Sequence, residues 1–125
     1  MARKAQADLA IERAAVQLKA LLEEAAASLH PFPPFPGAFF TNAIEVEGAD
    51  DPERGCIVVC QDGGLYELKM SIDFSEDAQD PVSARDEMLK KLDDLHPRDY
   101  VALAYEALSR ITEQLMERSE QGARG

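Results

Sequence analysis

The sequence of 125 residues contains no tryptophan and only two cysteines, Cys56 and Cys60. Their spacing is not that of a C-x-x-C redox motif, and no second cysteine pair exists to complete a zinc site. On a single strand the two residues would lie about 13 Å apart, which is too far for a disulfide bond. We therefore interpret both as small buried apolar residues.

Long apolar runs are also absent, because no stretch of about 18 apolar residues occurs. The sequence therefore contains no candidate membrane span. Residues 1–24 lack the apolar segment of a signal peptide, since charged residues interrupt them every few positions. We expect a cytoplasmic protein of a single domain, residues 1–125, with frayed termini at 1–3 and 120–125.

Basic residues are scarce, with 13 lysines and arginines against 24 acidic residues and a net charge of −11. Residues 31–80 contain two basic and eleven acidic residues, a net charge of −9 in this segment. Such a surface repels phosphate, which excludes nucleic acid as a partner and disfavours an anionic membrane. A basic protein partner is compatible with this charge.

Catalytic motifs are missing as well. No G-x-S-x-G sequence, P-loop or G-x-G-x-x-G sequence occurs, so no enzyme activity and no cofactor is predicted. The carboxylates of Asp73, Glu76, Asp77 and Asp80 have neither the spacing nor the glycine of a calcium-binding loop. We interpret them as a solvated acidic loop and predict no metal site.

The two histidines, His30 and His96, both lie in a Leu-His-Pro sequence. A histidine in the last turn of a helix followed by a proline is typical of a helix end. We therefore predict that each histidine ends a helix and has no chemical role.

The hydrophobic periodicity predicts the order α-β-β-β-α-α. Apolar residues spaced alternately by four and three positions indicate a long N-terminal helix, and period-two patterns indicate strands separated by turns. The predicted helices are 3–29, 81–95 and 97–119, and the predicted strands are 39–47, 56–61 and 65–74. The expected fold is therefore α+β: a three-stranded antiparallel meander packed by the long N-terminal helix and two C-terminal helices.

The third predicted strand has the clearest alternation. Tyr66, Leu68 and Met70 are expected to face the core, and Glu67 and Lys69 to face solvent. The first and third strands would be the edges of the sheet, and the charges on the third would protect it from pairing with other chains. The preceding Asp-Gly-Gly sequence predicts a tight hairpin turn with a positive φ.

The segment HPFPPFPGAFF, residues 30–40, contains four prolines and four phenylalanines. In polyproline II geometry Phe32 and Phe35 fall on one side as a two-ring ridge. Leaving such a ridge in water forgoes about 1.5–3 kcal/mol per ring, so either the protein's own core or a partner should cover it. Phe32, Phe35 and Phe39 are the candidate interaction residues.

The α-βββ-α order, small size and acidic pI of about 4.5 resemble class I secretion chaperones in composition. That family has further strands before its last helix, which are not predicted here, so no function is carried over from it. The same order resembles double-stranded-RNA-binding domains, whose basic second helix is contradicted by the acidic residues of RDEMLKKLDDL.

Three functions follow as hypotheses. The first is a non-enzymatic protein-interaction module acting as a homodimer, which the apolar helix seams and the Phe ridge favour. The second is a small-molecule-binding protein or enzyme with a pocket between sheet and helices. The third is an acidic chaperone-like protein or nucleic-acid mimic that masks a basic partner. The pocket of the second hypothesis would be lined by Cys60, Tyr66, Met70, His96, Tyr100 and Tyr105.

Overall fold

A computed structural model describes residues 2–49, 55–72 and 85–124. Within these ranges, one long helix precedes an antiparallel sheet in the chain and a second long helix follows it. The elements are α1 (Ala2–Ser28), β1 (Ile44–Glu47), β2 (Cys56–Val59), β3 (Leu65–Ile72), β4 (Arg85–Lys91) and α2 (Pro97–Arg124). The predicted α+β class is confirmed, but the described residues form four strands and two helices rather than three of each.

A helix was predicted over 81–95, but the described part of this range contains strand β4 instead. It pairs with β3 in regular antiparallel register over its whole length. The Glu, Met, Leu and Lys residues of this segment favour a helix in isolation. Pairing with β3 overrides that preference, because β-structure depends on partners that are distant in sequence. A strand therefore does precede the last helix, contrary to the prediction.

Several predicted features lie outside the described residues. They are Phe74 at the end of the third predicted strand, the acidic loop up to Asp80, the start of the predicted helix at 81–84, and most of the turn between β1 and β2.

The strands follow one another in the order β1-β2-β3-β4, so β1 and β4 are the edges of the sheet. β3, which was predicted to be an edge, is central. β1 is only four residues long, its register shifts between Glu45 and Glu47, and α2 packs against it. Shortness, a register shift and a covering helix all protect an edge from pairing with other chains.

One face of the sheet packs against the helices. Val46, Val59 and Leu65 form a buried cluster there with Leu22 of α1 and Ile111 of α2. The small residues of both helices allow α1 and α2 to pack closely. The turn between β2 and β3 also packs against α1.

That turn is a three-residue hairpin loop. The Cys60 N–H donates to the Gly64 carbonyl at 3.1 Å, and the Gly63 N–H donates to the Cys60 carbonyl at 2.9 Å. Gly63 has the predicted positive φ, at 80°. A Cβ at this position would lie 2.7 Å from Cα of Glu23, so the turn contacts the backbone of α1 directly.

Part of the second face of the sheet is covered by the segment that joins α1 to β1, here called the strap (residues 30–43). Phe35 packs there in a buried cluster with Val58, Cys60 and Leu68. The expectation of one solvated face is therefore wrong around these residues. The alternation of β3 is retained, but Leu68 faces the strap and Met70, farther along, is exposed.

The strap folds back on itself instead of running straight into a strand. The Phe35 N–H donates to the Thr41 carbonyl at 3.0 Å, and Pro34 forms a bridge with Asn42. β1 consequently begins at Ile44 and not at Phe39. Phe32 lies in the helix-side cluster and Phe35 in the strap-side cluster, so the two rings are buried but do not form one ridge.

Both long helices were predicted, although α2 extends five residues beyond its predicted end at residue 119. In α1 the fully buried residues, Leu22 and Ala26, lie in its last third, whereas Leu9 and Val16 are exposed. α2 begins at Pro97, as predicted, and continues to Arg124. The helices thus contribute their buried residues mainly where they cover the sheet.

Candidate functional site at the strap and the β4 edge

One carboxylate ties the strap to β4. Oε2 of Glu87 accepts the backbone N–H of Phe39 at 2.7 Å, and Oε1 accepts the Phe40 N–H at 3.1 Å and the Thr41 hydroxyl at 2.7 Å. Desolvation acts to raise the pKa of Glu87, but these hydrogen bonds together hold it below its ordinary value. Glu87 is therefore ionised at neutral pH and binds the strap as an anion.

Exposed apolar side chains surround this carboxylate. Phe40 is 67% exposed, Leu89 45% and Met70 44%. Phe40 and Leu89 line an open groove of about 360 Å³ together with Cys60 and Tyr66. Exposed apolar residues that cluster on one side of a small protein are typical of contact surfaces.

β4 forms the second edge of the sheet, and no strand within the described ranges pairs with its outer side. The Leu92 N–H donates to the Leu65 carbonyl at 3.0 Å and so points toward β3. Successive residues of an antiparallel strand direct their backbone groups to opposite sides. Glu87, Leu89 and Lys91 therefore direct their N–H and C=O groups outward.

Asp62 and Tyr66 close the β2–β3 turn beside this surface. Asp62 accepts the Gly64 N–H at 2.8 Å and the Tyr66 hydroxyl at 2.6 Å. Desolvation acts to raise the pKa of Asp62, but these bonds and the charge of Lys91 lower it. The hydrogen bond to Asp62, with some desolvation, raises the pKa of Tyr66 to about 12. Neither group is suited to proton transfer near neutral pH.

The two cysteines are free thiols. Burial raises the pKa of Cys60 to about 11, and the charge of Asp62 adds to this effect. Burial also raises the pKa of Cys56, with a further contribution from Glu45. Since the thiolate is the nucleophilic form, neither cysteine is activated at neutral pH.

The residues predicted to line a pocket between sheet and helices do not gather in one place. Two of them, Cys60 and Tyr66, lie on the strap face of the sheet. Tyr100 lines a separate groove beside the β2–β3 turn, and His96 lines another beside the start of α1. Tyr105 is 66% exposed on α2.

The two histidines lie far apart. His30 follows the end of α1, whereas His96 lies near Glu12, and the part of α1 from Glu12 to Ser28 is about 24 Å long at ~1.5 Å per residue. His96 was predicted to end a helix, but it does not. Its Nδ1 accepts the Arg98 N–H at 3.2 Å, so the side chain caps the start of α2.

Of the predicted interaction residues, Phe32 and Phe35 are buried in the protein's own core, and Phe39 is 50% exposed. The main features of the surface, Glu87 and Leu89, were missed because the segment was predicted to be a helix. The sequence of Arg85–Lys91 has no apolar–polar alternation, so it contains no local signal for a strand.

Within the described ranges, no three His, Cys, Asp or Glu side chains are placed to hold a metal ion together. In the same part of the chain, neither helix combines the length and apolar character needed to cross a membrane.

Comparison with known proteins gives no relative for this chain. No family model, no curated protein and no solved structure matches it.

Proposed function

We propose that this protein is a non-enzymatic, cytoplasmic protein-interaction module that acts as a homodimer. The observation that carries the proposal is the grouping of exposed Phe40, Met70 and Leu89 beside a sheet edge that lacks a partner among the described residues. Phe32 and Phe35 do not contribute, because the core already covers them. The dimer contact therefore belongs on the β4 side of the sheet.

The titratable groups on this side favour an interaction role over a catalytic one. The Cys60 thiol is protonated at neutral pH, Asp62 and Tyr66 bond each other, and the Glu87 carboxylate is used by the strap. A catalytic acid, base or nucleophile needs a pKa suited to its working pH. These groups instead fix the shape of the surface.

The proposal is tested by sedimentation equilibrium. We expect the purified protein to approach twice its chain mass of 13.8 kDa as its concentration rises. Phe40→Asn should weaken the dimer about tenfold, since exposed aromatic residues dominate many contact surfaces. Tyr105→Asn is the matched control, because Tyr105 on α2 is 66% exposed and Phe40 67%.

Two results would contradict the proposal. One is a protein that remains monomeric at every concentration. The other is a dimer that Tyr105→Asn weakens and Phe40→Asn leaves unchanged, which would place the contact on the helices.

A further inference from the structure

We propose that two copies of the protein join through antiparallel pairing of their β4 strands, so that two four-stranded sheets become one sheet of eight strands. This inference rests on the proposed function, because it specifies the surface through which the homodimer forms. β4 is the suitable edge, since it is seven residues long and regularly paired with β3. β1 is shorter, irregular and covered by α2.

The geometry of a sheet restricts how two identical strands can pair. Facing residues of an antiparallel pair lie on the same face of the sheet, and side chains alternate between faces. A two-fold symmetric pair must therefore be centred on a residue that faces its own copy. Glu87, Leu89 and Lys91 direct their backbone groups outward, so a pair centred on Leu89 forms hydrogen bonds at all three positions.

Charge selects this register. When Leu89 faces Leu89 of the second copy, Glu87 of each copy faces Lys91 of the other, because the sequence Glu-Met-Leu-Lys-Lys runs in opposite directions. A pair centred on Glu87 would oppose two carboxylates. A pair centred on Met88 would place Glu87 opposite Leu89 and form no ion pair between Glu87 and Lys91. Opposite charges facing each other stabilise a strand pair, and like charges destabilise it.

The groups involved are available for this contact. Glu87 accepts hydrogen bonds from Phe39, Phe40 and Thr41 of its own chain, and its negative charge would also attract the Lys91 ammonium group of the second copy. Pairing also covers the exposed side chain of Leu89. Phe40, which lines the same groove as Leu89, would then lie near the two-fold axis in both copies.

The pairing is tested by amide hydrogen exchange measured by NMR, with the unmodified protein at concentrations below and above its dimerisation constant. We expect the amides of Glu87, Leu89 and Lys91 to exchange at least about tenfold more slowly in the dimer. The amides of Met88 and Lys90 point toward β3, so they should be protected at both concentrations. Unchanged exchange at 87, 89 and 91 in a dimer would overturn the pairing and leave the proposed function intact.

A charge substitution tests the register. Lys91→Glu should weaken dimerisation about tenfold or more, because it places one carboxylate opposite Glu87 in each half of the interface. Lys90→Glu is the matched control: it changes the net charge equally, but position 90 faces Met88. Equal effects of the two substitutions would overturn the register. A protein that never dimerises would overturn both the pairing and the proposed function.

Discussion

At the scale of single residues, Glu87 has the most connected side chain on the proposed surface. One carboxylate bonds two successive backbone amides and a hydroxyl of the strap, residues that precede it by 46 to 48 positions. Charge-assisted hydrogen bonds of this kind are stronger than those between neutral groups. The strap is thus held by an ionised group, and the stability of the protein should therefore depend on pH.

We expect Glu87→Gln to lower the free energy of unfolding by about 1 kcal/mol at pH 7, a reduced value because solvent screens the exposed carboxylate. The folded-state pKa of Glu87 lies below its ordinary value, so this contribution is complete above about pH 5 and is lost as the pH falls through the folded-state pKa. Urea unfolding at pH 7 and near pH 3 measures the free energy of unfolding of the unmodified protein and of the variant.

The difference in the free energy of unfolding between the unmodified protein and Glu87→Gln should therefore be smaller near pH 3 than at pH 7. Glu47→Gln, at an exposed position on the other edge of the sheet, controls for the loss of one negative charge. A difference that stays constant with pH would mean that the charge of Glu87 does not hold the strap.

At the scale of elements, the residues that were well predicted are those whose structure depends on nearby sequence. The apolar seam of α1 and Pro97 at the start of α2 are local signals, and both helices lie where they were expected. The Asp-Gly-Gly turn is also local. β4 was missed because its helix-favouring residues become a strand only by pairing with β3, and the β4-side surface was missed with it.

The strap also contains features that depend on contacts between distant residues and that its sequence did not predict. Its prolines correctly predicted that it connects α1 to the sheet, and the burial of Phe32 and Phe35 was one of the expected outcomes. The polyproline period did not predict that the chain turns back, so that the Phe35 N–H reaches the Thr41 carbonyl. The contact of Phe39 and Phe40 with Glu87 depends on that turn and on β4 together.

The contact between the β2–β3 turn and α1 gives a prediction at this scale. Gly63→Ala should lower the free energy of unfolding by about 2 kcal/mol or more, because it combines a left-handed backbone with a collision. Gly63 has φ of 80°, and its Cβ would lie 2.7 Å from Cα of Glu23. Thermal or urea unfolding measures the loss.

Gly37→Ala separates the two causes. Gly37 has φ of 86°, but a Cβ there would meet nothing within 4 Å. Its substitution should lower the free energy of unfolding by about 1 kcal/mol, which is the cost of the left-handed backbone alone. Equal losses for the two variants would show that the turn does not press against α1.

At the scale of the whole molecule, the net charge of −11 opposes self-association. Two copies that approach each other repel over roughly one Debye length, which is about 30 Å at 10 mM salt and about 8 Å at 150 mM. The proposed Glu87–Lys91 contacts act in the other direction, but partly exposed ion pairs contribute only ~0.2–1 kcal/mol each. Repulsion between the whole molecules should therefore dominate the salt dependence.

We accordingly expect the dimer dissociation constant to fall at least about tenfold between 10 mM and 150 mM sodium chloride, because the added salt screens this repulsion. Sedimentation equilibrium across this range measures the change. Lys90→Glu, which makes each copy more acidic without altering the proposed ion pairs, should steepen the dependence. A dissociation constant that instead rises with salt would mean that attraction between opposite charges holds the dimer, and that the acidic surface lies far from the interface.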